Sequence, residues 1–310
     1  MQSPISWYTL ALAAFNTLVL FSANQSSQKT LTAEASETGA MDLPQQIRAV
    51  PLADRAFDFA GESLPMDNFD VRERLDRELL RNSYYHSNTI LLLKRAKRYF
   101  PTIEKILAEE EVPEDLKYLC VIESDLSNAV SPAGAKGFWQ FMKGTAGDYG
   151  LEVNSEVDER FHLEKATRAA CRYLKKYREK FGSWTLAAAA YNTGGNRLSK
   201  EIQVQRGQSY YDLNLNAETA RYVFRIVAMK TILTNPQAFG FDIEEATKYA
   251  PFPDYHTIEV KESVANWGDF ATKYGTTYRM LKVYNPWLRT ASLSNRTKKT
   301  YEIRVPKRED

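Results

Sequence analysis

The stretch from Pro113 to Thr145 constrains this chain more than any other. It begins Pro-Glu-Asp-Leu-Lys-Tyr-Leu-Cys-Val-Ile-Glu-Ser-Asp, passes through a Ser-Pro-Ala-Gly-Ala-Lys-Gly loop and becomes apolar again at Phe-Trp-Gln-Phe-Met. Pro113 suits a first helical position, and Glu114 and Asp115 complement the positive end of a helix dipole. After Lys117 the run Tyr118 to Ile122 leaves no polar face, so the predicted helix is buried, and it ends in an acid, Glu123. Ionising a carboxyl beside apolar surface is costly, so Glu123 is expected to stay protonated nearer neutrality than a free Glu. A general acid needs that property. The competing reading of the residue alone is a helix-terminal Glu that points into water.

Ser124 and Asp125 are expected to end the helix, and Ser131-Pro132, Gly134 and Gly137 to build a turn-rich loop. Gln140 lies between Trp139 and Phe141, where an amide among rings suits a sugar or an N-acetyl group. A core Gln bonded to a backbone carbonyl fits the same pattern. The Gly134-Ala-Lys-Gly137 spacing is no phosphate loop, because Lys136 precedes the second Gly and no Lys-Ser/Thr pair follows.

Several separated motifs then carry a resemblance. They are Glu123-Ser124, Ser131-Pro132, Gly137-Phe138-Trp139-Gln140, Ala190-Tyr191-Asn192-Thr193-Gly194 and Glu218-Thr219-Ala220-Arg221-Tyr222-Val223. In order and spacing, from near Phe100 to about Phe241, the chain resembles the soluble lytic transglycosylase (SLT) domain of glycoside hydrolase family 23, most of all its membrane-bound D branch. The resemblance implies a lysozyme-like helical catalytic domain at 113–241 that cleaves the β-1,4 bond between N-acetylmuramic acid and N-acetylglucosamine without water, leaving 1,6-anhydro ends. It implies Glu123 as acid and then base, with Ser131, Gln140, Met142, Tyr191, Asn192 and Tyr222 lining the cleft. Tyr222 is expected to point its hydroxyl at Glu123. Phe138 and Trp139 depart from the Leu-Met commonest there but keep apolar bulk. No cofactor and no metal are implied, and the expected partner is the peptidoglycan glycan strand. Two alternatives stay open: a goose-type lysozyme, in which Asp125, Asp148 or Asp158 positions a water, and a non-catalytic peptidoglycan-binding protein.

The chain is expected to be mainly α, with a small α+β module at the end. Trp7 to Phe21 is an apolar run, short for the ~20 residues of a membrane span, which marks 1–24 as a signal peptide or anchor and implies export to the periplasm or cell envelope. The n-region holds no Lys or Arg. Residues 25–66, rich in Ser, Thr, Ala, Glu and Gln, are expected to form a disordered tether. Residues 67–112 are expected to be helical, with Phe100-Pro101 starting a new helix, and to pack on the catalytic domain. Helices follow at Leu163 to Phe181, Trp184 to Asn192 and Ala217 to Leu233. A linker at 242–255 leads to 256–307, whose strand, two helices and strand are similar to a glycan-binding lysin-motif (LysM) domain. Lys261-Glu262 replaces its usual Gly-Asp, and the glycine before the last strand is missing.

With 41 basic and 39 acidic residues the chain offers no field for nucleic acid, and a monomer is expected. Cys120 and Cys171, the only cysteines, could pair or remain two buried thiols, and the three His are scattered without ligand spacing.

Overall fold

Apolar side chains at helical spacing turn most of the chain into helices, and these gather around the acid-bearing segment. The computed structural model describes residues 49, 50, 52 and 55–307, all within one compact unit. The expected signal segment 1–24 and nearly all of the tether lie outside the described residues. Among the described residues no helix is long and apolar enough to cross a membrane.

Helix α1 (Phe69–Tyr84) is opened by Asn68, whose side chain accepts from the Asp70 amide, and it buries Val71, Leu75 and Leu79. Helix α2 (His86–Glu109) runs unbroken through Pro101, which corrects the expectation of a new helix there. A proline inside a helix costs about 3 kcal/mol. The buried Leu92, Leu93, Ile103, Ile106 and Leu107 on either side, at roughly 1.5–3 kcal/mol each, outweigh it.

The stretch Phe57 to Leu64 also corrects the sequence expectation. Instead of a tether it forms a hairpin of β1 (Asp58–Phe59) and β2 (Glu62–Ser63) whose Phe57, Phe59 and Leu64 enter the main core. Its turn, Ala60-Gly61, has φ of 54° and 79°. The hairpin is tied down by Asp58 to Lys230 (2.9 Å) and by the Ala60 amide to Asp115 (2.7 Å).

A 3-10 turn (Glu114–Leu116), with Pro113 just outside it, leads into α3 (Lys117–Ser124). Lys117 is itself buried and pairs with Glu104 (2.6 Å) and Glu114. Then come α4 (Lys143–Asp148), a 3-10 turn at Glu159–Phe161, α5 (Leu163–Phe181), α6 (Trp184–Thr193), α7 (Gly195–Gln205) and α8 (Ala217–Thr234). Helix α5 stops at Gly182, which takes φ 78° as a left-handed cap. Ser183 then caps α6 by accepting from the Leu186 amide at 3.0 Å. Ala187 to Ala190 are fully buried, so α6 packs closely between α5 and α8. Helix α3 lies against α2 and α8.

A second core closes the chain. Strands β3 (Tyr255–Val260) and β4 (Tyr301–Pro306) pair antiparallel with Ile258 opposite Ile303, and α9 (Trp267–Lys273) and α10 (Tyr278–Tyr284) lie between them in sequence. Trp267, Ala271, Leu281, Trp287, Leu288, Ile303 and Val305 fill this core together with Val157 and Phe161 from the helical part. The connecting segment is laid along α2, where Arg98 donates to the Ala250 carbonyl at 2.8 Å. Cys120 and Cys171 are both buried and free.

Candidate active site

Glu123 stands on the last turn of α3, and the backbone beyond it explains why the helix stops there. Asp125 and Leu126 take left-handed φ of 51° and 52°, which turns the chain back into the loop. Ser124 fixes that loop to the helix: its hydroxyl lies 3.0 Å from the Cys120 carbonyl and 2.9 Å from the Phe138 carbonyl.

The loop is closed by its own side chains. Ser131 accepts from the Ala135 amide at 3.0 Å. Gln140, at φ 47°, donates its amide to the carbonyls of Ala129 (3.1 Å) and Gly137 (2.8 Å), so its nitrogen serves the loop, the alternative that its sequence context left open. Gly137 has φ 80°, and a Cβ there would come within 1.8 Å of the Arg160 carbonyl oxygen, so no other residue fits. Trp139 is fully buried and donates its indole N–H to Thr167 at 2.9 Å, whereas Met142, at the loop's exit, is 47% exposed.

Two helix ends complete the surroundings. Tyr191 on α6 donates its hydroxyl to the Trp139 carbonyl at 2.6 Å. Asn192 accepts from the Thr219 hydroxyl at 2.8 Å and donates to Glu218 at 3.3 Å, which joins α6 to the start of α8. From α8, Tyr222 donates its hydroxyl to Glu123 Oε1 at 2.5 Å. Arg225, three residues on, donates to the Ile122 carbonyl at 3.1 Å.

Burial pushes the Glu123 carboxyl from its ordinary 4.5 up to about 7. The Tyr222 hydrogen bond and the Arg225 charge pull it down, and the Glu218 charge pushes it up. Burial, and after it the charge of Glu123, raises the phenols of Tyr191 and Tyr222 well above 10, so both remain neutral donors. The site thus holds one carboxyl poised between its two protonation states near neutral pH, with a phenol as its hydrogen-bond donor.

Glu123 and Tyr222 are in direct contact, and Tyr191 reaches the same loop. Ser131 and Gln140 turn their polar atoms to the loop's backbone, while Asn192 bridges two helices. Sequence reasoning missed Glu218 and Arg225 as neighbours of the acid. Their signal was the spacing 218, 222, 225, which puts all three on one helix face. The three aspartates considered for a hydrolytic route are placed differently. Asp125 and Asp148 are exposed, and Asp158 is buried in a two-bond pair with Arg160 at 2.8 Å each. Among the described residues no group of three or more His, Cys, Asp or Glu is arranged to hold a metal ion.

Residues 101–214 match the family described as the transglycosylase SLT domain, and residues 256–309 match the soluble lytic transglycosylase C-terminal LysM-like domain. Over 244 residues the chain is 30% identical to the membrane-bound lytic murein transglycosylase D of Escherichia coli K12, which covers 76% of this chain and 52% of that protein. The protein of the same name from Escherichia coli O6:H1 matches to the same extent. The chain therefore spans about half the length of the curated relatives it matches. Among solved structures it is similar to an inactive mutant of the lytic transglycosylase Slt from Pseudomonas aeruginosa, with 21% identity, a TM-score of 0.38 and coverage of 49% of this chain and 26% of that one. It is also similar to the 70 kDa soluble lytic transglycosylase of Escherichia coli, with 19% identity, a TM-score of 0.39 and coverage of 50% and 27%.

Proposed function

Since this chain carries a transglycosylase SLT domain followed by a LysM-like domain, we propose that it is a peptidoglycan lytic transglycosylase with Glu123 as its single acid and base. The observation that carries the reading is the Glu123 carboxyl, held at about 7 by burial with the Tyr222 hydroxyl on it. In the proposed reaction the protonated Glu123 gives its proton to the glycosidic oxygen between N-acetylmuramic acid and N-acetylglucosamine. The bond from muramoyl C1 to that oxygen breaks, and the Glu123 carboxylate then takes the proton of the muramoyl C6 hydroxyl. O6 closes on C1, which leaves a 1,6-anhydro end and returns Glu123 to its protonated form with no water consumed. Most glycosidases use two carboxylates; here the sugar's own hydroxyl replaces the second. A group that must act as acid and then as base works best with its pKa near the operating pH.

Ser131, Gln140, Met142, Tyr191 and Asn192 form the wall around this acid in the same proposal. Ser131 and Gln140 shape the loop, Met142 offers exposed apolar surface to a sugar ring, and Tyr191 and Asn192 fix the helix ends. The proposed organisation is a catalytic domain at 113–241, a linker at 242–255 and a glycan-holding module at 256–307, in a protein of the cell envelope.

The test is mass spectrometry of the soluble products after incubation with purified peptidoglycan, with Glu123→Gln as control. The expected products end in 1,6-anhydro-muramic acid, and the variant is expected to lose at least about 100-fold in rate. Reducing ends, heavier by one water, would identify a hydrolase and overturn the reading. Absence of products with wall binding retained would identify a binding protein.

A further inference from the structure

The segment from Glu152 to Glu164 touches the loop below Glu123 on one side and the LysM-like module on the other. On the loop side stands Arg160, which is 3% exposed. Its guanidinium donates from one nitrogen to the carbonyls of Gly134 and Phe141, each at 3.2 Å, and from the other two to the Asp158 carboxylate. The Arg160 carbonyl is also the surface against which Gly137 is packed. One residue thus grips the loop at Gly134, Gly137 and Phe141, and the same loop accepts Ser124, the neighbour of the acid, at Phe138.

The other side belongs to the module. The Asp158 amide donates to the Trp287 carbonyl at 2.9 Å, and Val157 bridges to Leu288. The Arg289 amide donates to the Glu156 carbonyl at 2.8 Å. Glu152 accepts from the Tyr301 hydroxyl at 3.0 Å, and Arg304 pairs with Glu164 at 2.6 Å. Val157 and Phe161 are moreover part of the module's own core. From Trp287 through Asp158 and Arg160 to Phe141, every link is a hydrogen bond or an ion pair between buried groups.

We propose that Arg160 is a positioning residue for the reaction at Glu123, and that the LysM-like module is the brace that keeps Arg160 in register. A binding arm on a free hinge would need none of these contacts. A buried two-bond pair with two further backbone acceptors also uses the planar fork of an arginine, which a lysine cannot reproduce. The proposal rests on the transglycosylase reading for its kinetic consequence, though its structural part stands apart from it.

Two variants of the full chain test it, read by hydrogen exchange of the loop amides 134–141 and by the kinetics of peptidoglycan turnover. Arg160→Lys is expected to speed loop exchange and to lower kcat by about 10-fold with KM changed less than about 3-fold. It is also expected to move the upper limb of the pH–rate profile to lower pH, because more water then reaches the half-buried Glu123 carboxyl. Tyr222, Arg225 and Glu218 from α8, Tyr191 from α6 and Cys120 on α3 face that carboxyl and are unchanged in the variant. Loop exchange, kcat and pH limb at wild-type values would overturn the positioning role. Leu288→Ala weakens the module where it meets Val157 and is expected to speed loop exchange as well. Loop exchange at the wild-type rate in this variant, even with the module itself opened, would overturn the brace. If the wild-type protein turns over no peptidoglycan, the transglycosylase reading fails, and the two exchange measurements still decide the brace.

Discussion

Glu123→Gln is expected to stabilise the protein while it removes activity, and the gain should depend on pH in a way that only a buried acid produces. A carboxyl whose folded pKa, about 7, lies above its ordinary 4.5 makes the folded state the tighter proton binder. Its contribution is therefore fully present below pH 4.5, falls as pH rises through about 7, and is gone above it. At roughly 1.4 kcal/mol per pH unit, the gap amounts to about 3 kcal/mol at pH 8. Glu123 is half-buried and keeps some contact with water, so that is an upper value. Gln has no proton to lose, and its side-chain oxygen can still accept the Tyr222 hydroxyl. Thermal unfolding of both proteins from pH 4 to pH 8 is the assay. For a unit of this size each kcal/mol shifts Tm by about 2–4 °C. The expectation is no difference at pH 4 and a variant more stable by about 5–10 °C at pH 8. A Tm difference that is the same at both pH values, or a wild type more stable at pH 8, would refute the reasoning.

Tyr222→Phe removes the bond that holds Glu123 down, so the upper limb of the pH–rate profile should move above its wild-type position while the rate at neutral pH falls about 10-fold; a limb that moves down contradicts this. Gly137→Ala must place a Cβ on the Arg160 carbonyl at a φ of 80°, which should cost at least about 3 kcal/mol, and an unchanged urea midpoint would show the contact to be wrong. Burial, with a push from Glu123, holds the Cys120 thiol well above its ordinary range, and burial raises Cys171 to about 12. Neither should be alkylated by iodoacetamide at pH 8 in the native protein, and both should react once it is denatured, as intact mass will show.

Long amphipathic stretches were legible in the sequence, and short or context-dependent ones were not. Leu163–Phe181 and Ala217–Thr234 fold over the stretches that the apolar spacing marks, to within one residue at their ends. The hairpin at Asp58–Ser63 was missed because two-residue strands show no period and the composition around them is that of a tether. Pro101 suggested a helix start since local propensity says nothing of the core on both sides of it. Helix α7 escaped because Gly194-Gly195 reads as a turn, yet Gly195 is where the next helix begins, packed so tightly on Tyr177 that a Cβ would lie 2.3 Å from its ring. At the candidate site the acid announced itself through its apolar neighbours. Its electrostatic company did not, because Arg225 and Glu218 reach it only through the packing of α8 on α3.

That company decides what the carboxyl can do. Burial alone drives a carboxyl towards permanent protonation, a state in which it holds its proton too tightly to give it to a leaving oxygen. A full ion pair would do the reverse, as Glu164 shows: beside His162 and Arg304 it lies at about 2 despite its burial. Glu123 falls between these limits because the groups that oppose burial are a neutral phenol at 2.5 Å and an arginine whose nearest fixed partner is the Ile122 carbonyl rather than the acid. In the proposed cycle the same oxygen must lose a proton and recover one within each turnover, so the balance matters more than either force. Moving Arg225 into direct contact with Glu123 would leave the carboxyl ionised and without a proton to give, and removing both Arg225 and Tyr222 would make it hold its proton too tightly to release it. The loop that Arg160 holds determines how much water joins this balance, which makes the distant module relevant to the chemistry of a single carboxyl.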